Sequence, residues 1–189
     1  MDIAAIAAER GWRVDVHPLP PLLHNHPERI ASAVEARVAE LAPEYQRIAI
    51  AYADCGTYGA LDEVCTRLGL VRLQGSHCYD VYAGADVVAH LSEEQPGTYF
   101  LTDFLVAGFD RLVWRELGLD RHPELRDDYF RHYTRVVWLA GHRTSDLTRA
   151  ADRAAARLGL PLEVLPVPLE AGLAGALRTA IDALQPPGR

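Results

Sequence analysis

The sequence predicts an α/β fold from two observations. Short apolar runs typical of buried strands alternate along the chain with amphipathic segments of helical periodicity. In addition, residues 48–73 and 136–164 share the order strand, polar loop, helix, glycine stop and strand, which is the order of a parallel βαβ unit. We therefore expect one domain over residues 1–189, with a mostly parallel sheet of about five strands and helices on both faces, in the Rossmann-like, doubly wound manner.

The elements of the first half follow from local residue preferences. An alanine-rich start favours a helix, and the alternating residues after Gly11 favour a strand. Closely spaced prolines then prevent regular structure until Pro27, which suits the first position of a helix. Up to residue 94 the sequence predicts helices over 1–10, 27–42, 57–68 and 85–94, and strands over 12–17, 48–52 and 71–73.

The second half continues the alternation. Glycines at 118 and 159 mark helix ends, and Ser145 is a suitable residue for a helix start. The sequence predicts helices over 104–117, 126–133, 145–157 and 169–184, and strands over 98–101, 135–139 and 162–166. The helix over 126–133 is short and rich in polar and aromatic residues, which is more typical of a cover or a contact surface than of a core element.

Composition narrows the classes of function. The formal net charge is -7 and no basic cluster offsets it, so a nucleic-acid partner is not expected. The longest apolar runs are shorter than the roughly 20 residues that span a bilayer, and the start lacks the features of a signal peptide. We therefore expect a soluble, cytoplasmic protein without membrane contacts. In that compartment the 3 cysteines are expected to be thiols or metal ligands rather than disulfides.

A thiol follows the strand predicted at 48–52, in the turn Asp54-Cys55-Gly56-Thr57. Gly56 allows the backbone to bend sharply, and Thr57 is expected to cap the helix that follows. Cys55 would then lie near the positive end of a helix, where the thiolate is favoured. The sequence therefore indicates a reactive or metal-binding cysteine at this position.

A second thiol and an imidazole, Cys78 and His77, follow the next predicted strand. Because parallel strands end at the same edge of a sheet, we expect this loop to meet the loop of Cys55. Cysteine and histidine are preferred zinc ligands, which predicts a Zn or Fe site of Cys55, His77, Cys78 and His24. The alternative is that Cys78 is buried, His77 is solvated and nothing binds. Further polar candidates at strand ends and in the proline loop are Asp54, Asp80, Thr102, Asp103, His142 and His26.

Two other hypotheses about the function are alternatives to a metal site. In the first, Cys55 is the nucleophile of a transferase or hydrolase, His77 or His24 is its base, and backbone N–H groups of Gly56 and Thr57 stabilise an oxyanion. Thr102 and Asp103, together with Gly56 and Thr57, are candidate contacts to a cofactor. In the second, the protein is a non-catalytic partner that docks through the helix carrying Tyr129, Phe130, His132 and Tyr133. Cys65 lies on an apolar helix face and is interpreted as a core residue.

Several of these segments together resemble the family called domain of unknown function 1638. They are residues 22–30, 54–57, 77–79, 100–104 and 117–125, and the resemblance extends over roughly residues 20–165. The family has no assigned activity, and similarity to members encoded near corrinoid-dependent methyl-transfer systems implies a protein partner of that kind. Members usually carry a further cysteine near the start, where this chain has Ala4-Ala5-Ile6-Ala7, so Cys55 and Cys78 are the matching pair.

Overall fold

A computed structural model describes residues 3–168 and 172–184. Helices and strands alternate along them, which confirms the predicted α/β class. The helices are α1 (Ile3–Glu9), α2 (Ile30–Leu41), α3 (Ala60–Leu68), α4 (Cys78–Ala83), α5 (Ala85–Glu94), α6 (Asp103–Ala107), α7 (Arg126–Phe130), α8 (Ser145–Leu158) and α9 (Leu173–Ala183). The strands are β1 (Ala49–Ile50), β2 (Val71–Arg72), β3 (Thr98–Thr102), β4 (Arg135–Ala140) and β5 (Leu162–Pro166).

All strand pairs among these residues are parallel, as predicted, but they form two sheets instead of one. One sheet pairs β1 with β2, and the other has the order β3-β4-β5. The first two strands are only 2 residues each, so they offer a short row of backbone groups for pairing. The strands of the larger sheet have 5 or 6 residues and include the fully buried β4.

The larger sheet carries helices on both faces. Val136 and Trp138 of β4 pack in a core with residues of α6 and α8. Val137 and Leu139, which point the other way, pack with Tyr82 of α4 and Leu91 of α5. Because β4 is apolar on both sides, it is the central strand of this layered arrangement.

Three predicted elements differ in the structure. Residues 12–17 form no strand, and α3 begins at Ala60 rather than at Thr57. The helix predicted over 104–117 breaks at Gly108 into α6 and a π-helical turn, Asp110–Trp114. A Cβ at Gly108 would lie 2.5 Å from the Cδ1 atom of Leu112, so glycine permits the close approach of that side chain at the break. The start of the last predicted helix, residues 169–171, lies outside the described residues.

The four residues proposed as a docking surface differ in exposure. Phe130 is buried, and its ring centroid lies 5.3 Å from that of Tyr99 and 5.6 Å from that of Tyr133. Only Tyr129 and His132 of that group are exposed. Phe130 is thus a core residue packed against the start of β3, and docking of a partner on this helix stays a prediction.

No helix in the described ranges, 3–168 and 172–184, has the length and apolar character needed to cross a membrane.

Candidate functional site

The loops that follow β1 and β2 are joined by backbone hydrogen bonds. Asp54 N donates to Gly75 O over 3.0 Å, and Cys55 N donates to Ser76 O over 2.8 Å. The two loops are therefore neighbours, as the parallel pairing of β1 and β2 predicts. Cys55 and Cys78, which lie in or directly after these loops, are both free cysteines; Cys55 is half-buried and Cys78 is exposed.

The carboxylate of Asp54 organises the loop that carries Cys55. It accepts hydrogen bonds from the Thr57 hydroxyl at 2.7 Å, from Tyr58 N at 3.2 Å and from Gly59 N at 3.0 Å. Cys55 and Tyr58 both adopt the left-handed region with φ of +51°, which non-glycine residues rarely do. This closed loop cannot be helical, and for that reason α3 starts only at Ala60.

The two thiols differ in acidity. A hydrogen bond with the Cys78 thiol lowers the pKa of Cys55, although burial opposes this effect. The same hydrogen bond, together with burial, raises the pKa of Cys78 well above its usual value. The Cys55 thiol therefore ionises more readily than an ordinary thiol, while its role as a site residue stays a prediction. The cause is a partner thiol and not the expected helix end, because the first turn of α3 is five residues further along the chain.

The backbone N–H groups expected to bind an oxyanion already have partners. Thr57 N donates to Asp54 O over 3.1 Å, and the N–H of Gly56 interacts with the Asp54 carboxylate. Both donors therefore stabilise the loop itself. A substrate oxyanion would have to displace these bonds to use them.

The two imidazoles proposed as base or ligand lie at different places. His77 is exposed, and its ring stacks on Tyr79 with centroids 6.5 Å apart. His24 Nδ1 lies 2.7 Å from Pro21 O, and its ring contacts Phe104 edge-on. Within the described ranges, no group of three or more His, Cys, Asp or Glu residues could hold a metal ion. The arrangement thus pairs the two thiols without assembling the four expected ligands.

A cavity of about 330 Å³ opens between the proline-rich loop and the segment around the π-helical turn, and neither Cys55 nor Cys78 lines it. Tyr79, which follows Cys78 directly, forms part of its wall. On the other side, a Cβ at Gly56 would lie 3.4 Å from Cβ of Pro27, so the Cys55 loop packs on the segment that contains His24 and His26. The lining residues are His24, Asn25, His26, Tyr79, Tyr99, Leu105, Leu112, Val113, Glu116 and Leu117.

The comparison with known protein families matches residues 18–171 to a family described as protein of unknown function (DUF1638). The chain belongs to this family. The matched range includes both thiols and every polar residue that lines the cavity. Neither the comparison with curated proteins nor the comparison with solved structures gives a match. The resemblance noted in the sequence is therefore confirmed.

Two further candidates of this DUF1638 chain, Thr102 and Asp103, have partners within the fold. The Thr102 hydroxyl accepts from Leu105 N over 3.5 Å at the start of α6. The buried carboxylate of Asp103 accepts from Trp138 Nε1 at 2.9 Å and from His142 N at 2.8 Å. These bonds tie the end of β3 to the loop after β4. Contact between these two residues and a cofactor stays a prediction.

Sequence reasoning on the DUF1638 chain missed Tyr79, Tyr99 and Glu116 as cavity residues. For Tyr79 a signal existed, since it directly follows Cys78. Tyr99 reaches the cavity from β3, and Glu116 comes from the turn that follows the π-helical segment. Their convergence depends on tertiary packing, which no local pattern indicates.

Proposed function

We propose that this protein is a cysteine-dependent transfer enzyme in which Cys55 is the nucleophile. The observation that carries the proposal is the setting of Cys55, a half-buried thiol with a lowered pKa, held in a left-handed loop that backbone hydrogen bonds join to the loop before Cys78. Thiolate is the form that attacks electrophiles, and reactive cysteines have lowered pKa values and partial exposure. Cys55 is half-buried and meets both conditions.

The surroundings of Cys55 favour transfer of a soft group, such as an alkyl or sulfur group, over hydrolysis of an acyl compound. Acyl transfer relies on free donors for an oxyanion and on a base beside the nucleophile. Here the N–H of Thr57 is bonded to Asp54, and no imidazole among the described residues donates to or accepts from Cys55. Attack on a saturated carbon or on sulfur develops no oxyanion and does not need these groups.

The cavity whose wall includes Tyr79, the residue after Cys78, has the properties of a small-molecule site. Its volume, about 330 Å³, is at the lower end of the range of ligand pockets, and its wall combines apolar and polar side chains. Burial raises the pKa of Tyr79 well above its usual value and that of Tyr99 to about 12. Both phenols are therefore neutral near pH 7 and can donate hydrogen bonds to a bound substrate.

The test is the rate at which Cys55 is alkylated by iodoacetamide at pH 6, followed by peptide mapping. We expect Cys55 to react at least about 10-fold faster than an ordinary thiol, because more of it is ionised at this pH. Cys78→Ala removes the hydrogen-bond donor and should slow Cys55, whereas Cys78→Ser retains a donor and should slow it less. Cys65→Ser is the matched control and should leave the rate unchanged. A Cys55 rate equal to that of an ordinary thiol would contradict the proposal.

A metal ion is a second candidate, favoured by the interacting pair of sulfur donors. Cys55 and Cys78 supply two ligands, and a tetrahedral Zn or Fe ion would need others from outside the described residues. We assign no chemical step to it. Element analysis after anaerobic purification decides the question: about one ion per chain, lost in both Cys55→Ser and Cys78→Ser, would support a metal, and a content far below one would exclude it.

A further inference from the structure

The cavity between the proline-rich loop and the π-helical turn combines an apolar wall with one carboxylate. Leu105, Leu112 and Val113 are buried, and Leu117 is half-buried. Glu116 supplies the carboxylate, and no arginine or lysine occurs among the described residues that line the cavity. Because charges of like sign repel, an anionic ligand would meet Glu116 without a compensating cation. The wall therefore disfavours anions.

The carboxylate of Glu116 is unpaired within the part of the chain that the structure describes. It has no hydrogen bond and no ion pair there, and the neighbouring Arg115 forms its ion pair with Asp110 instead, over 2.9 Å. Glu116 therefore keeps its full capacity to accept hydrogen bonds from a ligand and to attract a positive charge.

Two further side chains add acceptors to the cavity wall. The Nδ2 atom of Asn25 donates to Leu112 O over 3.0 Å, which leaves the side-chain oxygen of Asn25 as an acceptor. The Nδ1 atom of His24 lies 2.7 Å from Pro21 O. Since a carbonyl oxygen only accepts, Nδ1 carries the hydrogen, and Nε2 of the neutral ring is an acceptor as well. The polar groups of the wall thus suit a ligand that donates.

We infer that this cavity binds a protonated primary amine with a compact apolar body. An ammonium group has three N–H donors and a positive charge, which match the acceptors of Asn25 and His24 and the carboxylate of Glu116. The leucines and the valine bury the hydrocarbon part, and a volume of about 330 Å³ limits it to a small compound. The inference rests on the small-molecule site of the proposed function but on no reaction at Cys55.

The experiment compares three compounds of the same shape: phenethylamine, which is a cation, phenethyl alcohol, which is neutral, and phenylacetate, which is an anion. Each is titrated into nitrogen-labelled protein at pH 7, and two-dimensional NMR follows the amide signals. We expect the amine to bind at least about 3-fold more tightly than the alcohol, and phenylacetate to bind most weakly. The side-chain amide of Asn25 and the backbone amide of Val113 should shift.

Variants then separate charge from shape. Glu116→Gln should weaken the amine about 3-fold and leave the alcohol unchanged, because it removes the charge and keeps the shape. Glu93→Gln removes an exposed carboxylate on α5, outside the cavity wall, and should leave the affinity for the amine unchanged. Leu117→Trp fills part of the cavity and should weaken the amine and the alcohol alike.

Equal affinities for the amine and the alcohol, tighter binding of phenylacetate, or no saturable shift with any of the three compounds would overturn the inference. These comparisons use the wild type and therefore do not depend on the folding of a variant. Cys55→Ser should bind the amine like the wild type. An ordinary rate of alkylation at Cys55 would thus contradict the nucleophilic role and leave the amine site in place, whereas failure of amine binding would leave the nucleophilic role in place.

Discussion

The Asp54 side chain determines both the backbone conformation and the charge of the Cys55 loop. Its carboxylate holds the hydroxyl of Thr57 and the N–H groups of Tyr58 and Gly59, and so stabilises the left-handed conformation of Cys55. Backbone conformations of this kind cost about 1–3 kcal/mol and persist where surrounding contacts enforce them. The position of Cys55 therefore depends on the side chain of Asp54, which forms no hydrogen bond with the Cys55 sulfur.

The pH dependence of stability should reveal this role of Asp54. Hydrogen bonds from Thr57 and Gly59 lower the pKa of Asp54 from its usual value of 3.8. Because the folded-state pKa is the lower one, the stabilisation is complete above the unfolded-state value and is lost as pH falls through the folded-state pKa. The fall in the free energy of unfolding between pH 7 and pH 3, measured with urea, should be smaller in Asp54→Asn than in the wild type.

A matched control for this prediction is Asp128→Asn, which removes an exposed carboxylate on α7. At pH 7 we expect Asp54→Asn to cost about 1–2 kcal/mol, less than the loss of hydrogen bonds to a charged group because the amide keeps an acceptor oxygen, and Asp128→Asn to cost less. An equal acid response of Asp54→Asn and the wild type would show that Asp54 does not contribute through its charge.

At the scale of elements, Arg135 connects the three-stranded sheet to its covering helix. Arg135 is buried at the start of β4. Its Nε donates to the Thr98 hydroxyl of β3 at 2.8 Å, and its guanidinium donates to Glu163 of β5 at 2.7 Å and to Leu91 O of α5 at 3.1 Å. One side chain thus joins both neighbouring strands and a helix.

Arg135→Met should lower the free energy of unfolding by about 3–5 kcal/mol, because it leaves buried acceptors without a donor. Glu163→Gln should cost less than about 1 kcal/mol, since the Glu163 side chain is 47% exposed and keeps an acceptor oxygen. Urea denaturation of the two variants and the wild type measures both effects. Equal losses in the two variants would mean that the ion pair, and not the bonds to Thr98 and Leu91, carries the stabilisation.

At the scale of the whole molecule, α4 links the two sheets. Val81 packs with Ala53 and Leu73 near the small sheet, and the next residue, Tyr82, packs with Phe100 and Val137 of the larger sheet. The side-chain amide of Asn25 also donates to Leu112 O over 3.0 Å, across 87 positions in the chain. Shared packing of this kind favours unfolding in one step.

The double variant Cys55→Ser/Cys78→Ser retains only Cys65 and can test this cooperativity. Cys65 reports on the core beside the small sheet, and near-ultraviolet circular dichroism reports largely on the aromatic residues of the larger one. We expect Cys65 to become reactive to a thiol reagent at the same urea concentration at which the dichroism is lost. Exposure of Cys65 at a clearly lower concentration would show that the two sheets unfold separately and would contradict a single domain.

Local patterns alone determined the α/β class, the parallel pairing and the core position of Cys65. Apolar periodicity and the alternation of strands with helices are properties of short segments, and a strand's direction decides at which edge of a sheet its following loop lies. The neighbouring positions of the loops of Cys55 and Cys78 follow from that geometry. The same geometry identifies Cys55 and Cys78 as candidate site residues from the sequence.

The tertiary structure alone decided how the loops at the carboxyl edge of the strands are arranged. It divided the strands into two sheets, closed the Cys55 loop around the Asp54 carboxylate, and placed the rings of His77 and His24 against Tyr79 and Phe104. Each of these outcomes depends on hydrogen bonds, ring contacts or strand lengths set by the packing of the whole chain. The physical reason is that a side chain's partners, and through them the acidity of Cys55, are chosen among groups brought together only by folding.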